Sequence, residues 1–186
     1  MNVRSLRSHV VLLALTPMLA ACLTLERPYP EKRYYRLGVE RTGEKREATP
    51  GAILRVSTFD ISPAFQGREL AYLYEENRGE ADFYNQLYLS PASHLTMVAR
   101  AWLSDSGIFE HVVPSSSLVE ANLVLEGSVS ALLGDYRDRS APKAWLKLQF
   151  LLLRDDATGA KIVLQKDYEE IVPISESTPR AQSPRG

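Results

Sequence analysis

The sequence predicts an α+β fold in two layers: a mainly antiparallel or mixed sheet with one long amphipathic helix packed on it. Three observations lead there. Residues 122–172 alternate apolar and polar side chains at the two-residue period of half-buried strands. Residues 91–106 place apolar side chains at three-four spacing between clear start and stop signals. Strand-type runs stand on both sides of that helix, without the regular strand–helix repetition of a parallel α/β protein.

In chain order, residues 33–37 make a short aromatic strand, and the charged stretch 39–51, ending in Pro50 and Gly51, reads as a loop. Residues 53–61 follow as a strand, with Leu54, Val56 and Thr58 on one face and Ile53, Arg55, Ser57, Phe59 and Ile61 on the other. Residues 70–74 and 83–89 are two tyrosine-rich strands, and 75–82, with Gly79 near its middle, is expected as their hairpin connection. Ser90 suits a helix N-cap, Pro91 the first helical position and Gly107 the residue past the end. Leu95, Val98, Ala99, Trp102 and Leu103 form the helix's apolar face. Residues 108–113 return as a strand, closed by Pro114 and three serines.

Three long strands, 122–133, 144–153 and 161–172, then make an antiparallel meander with one face buried. In the first of them Leu123, Leu125, Gly127, Val129, Ala131 and Leu133 share a face. A polar tip at 134–142 and a turn at 155–159 join the three. From Pro173 to Gly186 the Ser-, Pro- and Arg-rich composition predicts a disordered tail.

Ahead of this domain, Arg4 and Arg7 precede an apolar run at 10–21 that ends in small residues, the pattern of a secretory signal peptide. As a helix that run spans roughly 18 Å, short of the ~30 Å hydrocarbon core an anchor must cross. Leu19-Ala20-Ala21-Cys22 resembles the lipobox of bacterial lipoproteins, which implies diacylation of Cys22 and cleavage before it. Cys22 is the only cysteine, so it has no disulfide partner. Two or three acyl chains there would exceed what stable anchoring requires. The expected organisation is a signal peptide over 1–21, a lipidated end and spacer over 22–32, one domain over 33–172 and the tail at 173–186. Leu23 in place of aspartate implies, by resemblance to lipoprotein sorting in Gram-negative bacteria, the outer membrane with the domain facing the periplasm. Without residues 1–21 the formal net charge moves from −1 to −3, and so balanced a chain offers nucleic acid no basic footprint.

Little in the sequence suggests reaction chemistry. His9 lies in the leader, and neither His94 nor His111 has further ligands at metal spacing. His94 is expected as an exposed first-turn residue. Ser90, His94 and Asp105 could be combined into a triad, but Ser90 has the cap to make and no nucleophile-elbow pattern surrounds any serine. Gly67 and Gly79 read as isolated turn glycines, and Glu75, Glu76, Glu80 and Asp82 as a solvated hairpin tip without EF-hand spacing. The expectation is a non-enzyme with no catalytic residue, cofactor or metal. Seven of the nine tyrosines fall between residues 29 and 88. Tyrosine suits half-wet surfaces, so two readings stand: ordinary sheet packing, or a partner surface carried by Tyr72, Tyr74, Tyr84 and Tyr88.

Several stretches occur in order behind the Cys22 motif: Tyr34-Tyr35-Arg36-Leu37, Leu54-Arg55-Val56 leading to Pro63, and Gly67-Arg68-Glu69-Leu70-Ala71-Tyr72. The approach from Tyr84 to Pro91, then Leu103-Ser104-Asp105-Ser106-Gly107-Ile108-Phe109 and Leu123-Val124-Leu125-Glu126-Gly127, complete the set. Together they resemble the ABC-type transport auxiliary lipoprotein family, which includes the paraquat-inducible lipoprotein C group, over roughly residues 34–172. The resemblance implies an outer-membrane-anchored partner of a mammalian-cell-entry (MCE) type ABC system that moves lipids between two membranes. It also implies an α/β two-layer domain that can form rings, hence a homo-oligomer. Cys22 is the one position that carries over. Members of that family carry a further amphipathic helix after the last strand, which 173–186 cannot make, so part of a sheet face should lack its cover. A neighbouring subunit, rather than a destabilised shortened domain, is the expected remedy. The rival expectations are a structural envelope lipoprotein and an assembly partner of an outer-membrane β-barrel.

Overall fold

In the computed structural model, residues 31–156 and 159–175 are described. The expected signal peptide, Cys22, most of the spacer and most of the tail lie outside them. The elements are β1 (Arg33–Tyr35), β2 (Thr49–Val56), β3 (Asp60–Ile61), β4 (Glu69–Glu75), β5 (Arg78–Leu87), helix α1 (Pro91–Ser106), β6 (Phe109–Pro114), β7 (Leu123–Asp135), β8 (Lys143–Asp156) and β9 (Gly159–Pro173). These strands join in one mixed sheet, curled as a half-barrel.

β7 is the spine of that sheet. Along one edge it pairs antiparallel with β8, from Leu123 opposite Arg154 to Asp135 opposite Lys143, and β8 carries β9 beyond it. The other edge of β7 holds three short parallel partners in succession: β2 at Leu123 to Leu125, β3 at Ser128 and Val129, and β4 at Gly134 and Asp135. β6 extends the sheet past β2, while β5 and then β1 extend it past β4.

α1 starts and stops on local chemistry. The Ser93 N–H donates to Ser90 Oγ at 3.4 Å, Pro91 opens the first turn, and Gly107 closes the helix at φ 71 with its N–H donated to the Ser104 carbonyl. Leu95, Ala99 and Leu103 pack on a core of Leu54, Val56, Phe59 and Leu125. Trp102 leaves that face: it is 40% exposed, with the Arg41 guanidinium over its ring. Phe59 fits the core because Gly127 has no side chain; a Cβ there would lie 2.7–2.8 Å from the Phe59 ring. Phe150, opposite Gly127, meets the same ring edge-on with centroids 5.5 Å apart.

The fold is α+β with one α-helix among the described residues, but that helix is modest. Its 16 residues span about 24 Å, against about 50 Å for the 15 residues of β9. It covers the β2–β7–β6 region and does not reach β9, which is exposed along its whole length. The meander expected to bury one face therefore does so only in part.

Tertiary contacts also move several expected boundaries. The alternation over 53–61 breaks at 57–59, where the Phe59 N–H donates to Thr96 Oγ1 of α1 at 2.9 Å. Phe59 and Ile61 change phase there and are buried together with Leu54 and Val56. The loop 39–51 gives up its last residues to β2. β4 and β5 run on to a turn at Glu76 and Asn77, with Glu75 opposite Arg78, so Gly79 sits in a strand. Asp82 is buried rather than solvated. It accepts the N–H groups of Tyr84 and Asn85 and the Asn85 side-chain amide at 2.7–3.0 Å, and the resulting excursion offsets the β4–β5 register. A bulge between Val129 and Ala131 places Leu132, not Ala131, opposite Leu146. His94 is fully buried rather than exposed, because its Nε2 accepts the Leu37 N–H at 3.2 Å and ties the segment after β1 to α1.

Candidate functional site: an apolar cavity beyond the helix

The ends of β4, β7, β8 and β9 line an apolar cavity of about 490 Å³. Register fixes the face on which it lies. Leu132, Leu146 and Glu170 sit abreast on neighbouring strands, as do Gly134, Ala144 and Val172. Phe150 and Leu152, on the same side of β8 as Leu146, pack on the core beneath α1. The cavity thus opens on the helix-bearing face of the sheet, and Pro91 at the start of α1 borders it.

Leu70, Leu132, Leu146 and Val172 contribute apolar wall, and Glu69 and Glu170 are the charged residues that line it; Trp145 borders it from the other face of β8, where its indole N–H donates to Glu169. Tyr72 lines the cavity as well, in a trio with Tyr74 and Tyr136 whose ring centroids are 5.4–6.3 Å apart. Gly134, opposite Tyr72, makes room for the trio: a Cβ there would come within 2.9 Å of the Tyr72 ring and 3.0 Å of the Tyr136 ring. Tyr72 is only 6% exposed, its hydroxyl shut off from solvent beside the Asp82 carboxylate. Burial first, and then the Asp82 charge, hold that phenol well above the usual tyrosine range, so it stays a neutral donor. Burial and then the Glu80 charge raise Tyr74 in the same direction. At the mouth of the β4–β5 turn, Arg137 joins Asp135 and Glu76, each at 2.7 Å. Its hydrogen bonds hold the Asp135 carboxyl below the usual carboxylate range.

The four tyrosines singled out from the sequence do not form one surface. Tyr72 is buried and belongs to the sheet packing, and Tyr74 is half-buried beside it. Tyr84 stacks edge-on against Phe83 at 5.2 Å, past the Asp82 excursion. Tyr88 is 60% exposed. Tyr136, Trp145 and Gly134 were not legible as site residues; the Gly-x-Tyr spacing at the end of an alternating strand was the available signal. Ser90 and His94 make no catalytic pair, since Ser90 is occupied with Ser93 and His94 with Leu37. Among the described residues no group of three His, Cys, Asp or Glu could hold a metal ion, and no helix is long and apolar enough to cross a membrane.

These features define a class: a curled mixed sheet with one helix and an apolar cavity past the helix's first turn. No family's sequence pattern matches the chain, and no curated protein matches it either. Solved structures do match in fold. Protein XCC0632 from Xanthomonas campestris, of the family DUF330, is similar with a TM-score of 0.68 at 17% identity, over 79% of this chain and 81% of that one. An uncharacterized protein is similar with a TM-score of 0.54 at 15% identity, over 77% and 80% respectively. At such identities the likeness is one of fold.

Proposed function

We propose that this protein is a non-enzymatic lipoprotein, held at the outer membrane through Cys22 and facing the periplasm. It docks or scaffolds an MCE-type ABC system that moves lipids between the two membranes. The observation that carries this reading is Leu19-Ala20-Ala21-Cys22 at the end of an export-type leader, with a proline-bearing spacer between it and β1. Two further observations support it. Stretches distant in sequence that carry the family resemblance meet in space, Leu54-Arg55-Val56 lying in register against Leu123-Val124-Leu125. β9 is bare on both faces, as suits a domain whose neighbour in a homo-oligomer supplies the missing cover.

The test is an affinity pull-down from cross-linked envelope membranes. Recovery of an MCE protein with an ABC permease and ATPase is the expected result. Recovery of an outer-membrane barrel protein without any of these would replace the reading with a barrel-assembly role. Separately, Cys22→Ala should accumulate as an unacylated precursor, and normal outer-membrane fractionation of that variant would remove the anchor from the account.

A further inference from the structure

We infer that the cavity at the ends of β4, β7, β8 and β9 binds one hydrocarbon chain of an amphiphile whose headgroup carries an ammonium and no net negative charge. Size, polarity and charge each contribute. At roughly 30 Å³ per methylene, about the share one water takes in the liquid, a volume of about 490 Å³ accepts a single chain of some twelve to sixteen carbons and not two. The wall is aliphatic and aromatic, as a buried chain requires.

The lining charges are Glu69 and Glu170, and among the described residues neither makes an ion pair. Asp82 adds a third negative charge behind Tyr72. A carboxylate or phosphate headgroup without a cation would meet only repulsion there, while an ammonium would be attracted. A lysophospholipid with an ethanolamine headgroup combines one chain and one ammonium.

Binding and docking fail separately: loss of either leaves the pull-down or the titration unaffected. The probes are monomeric myristoyl lysophosphatidylethanolamine and myristate, which share the chain and differ in headgroup, and binding to the full chain is read by isothermal titration calorimetry. A saturable one-to-one isotherm is expected with the first, at an affinity about tenfold or more above that for myristate. Glu170→Gln should narrow the preference over myristate. Ala144→Phe fills the cavity and should abolish the signal, with Val172→Trp, abreast of it on β9, as a second filler; whichever keeps the parental midpoint is titrated. Absence of saturable binding, equal affinity for both probes, or undiminished binding by a folded filler variant would each overturn the assignment.

Discussion

Gly127→Ala is the sharpest test of how the core is built. Gly127 lies opposite Phe150 and under the ring of Phe59, where an added Cβ would stand 2.7 Å from Cδ1 and Cγ and 2.8 Å from Cδ2. These separations fall about 1 Å inside the optimum for two carbons. The ring has nowhere cheap to go. Phe59 is 4% exposed, Phe150 meets it edge-on, and its backbone is held by Thr96. Overpacking of this kind costs about 1–3 kcal/mol, and a rigid ring struck at three atoms belongs at the upper end. The lower backbone entropy of alanine returns about 0.5–1 kcal/mol, leaving a net loss of about 2 kcal/mol. At a urea slope of about 2 kcal/mol/M the midpoint should fall by about 1 M. The same substitution made in a Phe59→Ala background should cost under about 0.5 kcal/mol, because Cγ and both Cδ atoms, the clash partners, are gone. An equal cost in both backgrounds, or a midpoint shift within error, would refute the packing argument.

Three further outcomes follow from the same geometry. Burial, with the Arg36 charge second, lowers the His94 pKa, and Nε2 must stay unprotonated to accept the Leu37 N–H. The unfolded chain therefore takes up a proton first as pH falls below about 6.5, so this part of the stability is complete above that value and is lost below it, down to the folded-state pKa. Urea midpoints should be lower at pH 5.5 than at pH 7.5, whereas His94→Leu should be weaker at both and nearly flat between them. Gly107→Ala combines a φ of +71 with a Cβ driven against the Arg46 carbonyl, so it should cost about 2 kcal/mol or more in thermal unfolding. Arg137→Met, by contrast, removes surface ion pairs to Asp135 and Glu76 and should barely move the thermal midpoint, with an effect that shrinks at high salt.

What could be read from the chain was the chemistry that stays local. Ser90, Pro91 and Gly107 place both ends of α1 because capping involves groups within a few residues of each other. The alternation of β7 and β8 is visible for the same reason. The breaks are not, because each is imposed from a distance: Thr96 turns Phe59 inward, and the β7 bulge shifts register only when β8 lies alongside. His94 was misread although its spacing with Pro91, Leu95 and Val98 puts it on the buried side of the helix; a polar residue was taken for an exposed one. The cavity has no local signature at all. It is assembled from the ends of four strands that span residues 69–173, and Trp145 and Tyr136 reach it only through pairings that the bulge sets.

The dependence on β7 has a consequence for how the chain becomes a domain. β2 with β6 forms one wing of the sheet and β1, β5 and β4 the other, and among the described strands only β7 is hydrogen-bonded to both. β3 has no other strand to join. At about 5–20 residues per second of synthesis, β2 waits on the order of ten seconds before residue 135 exists to complete its surroundings. A nascent chain cut before Leu123 would therefore be two wings that no strand joins, with one edge of β2 open and β3 unpaired, prey for holding chaperones and proteases, and not a smaller working version of the whole.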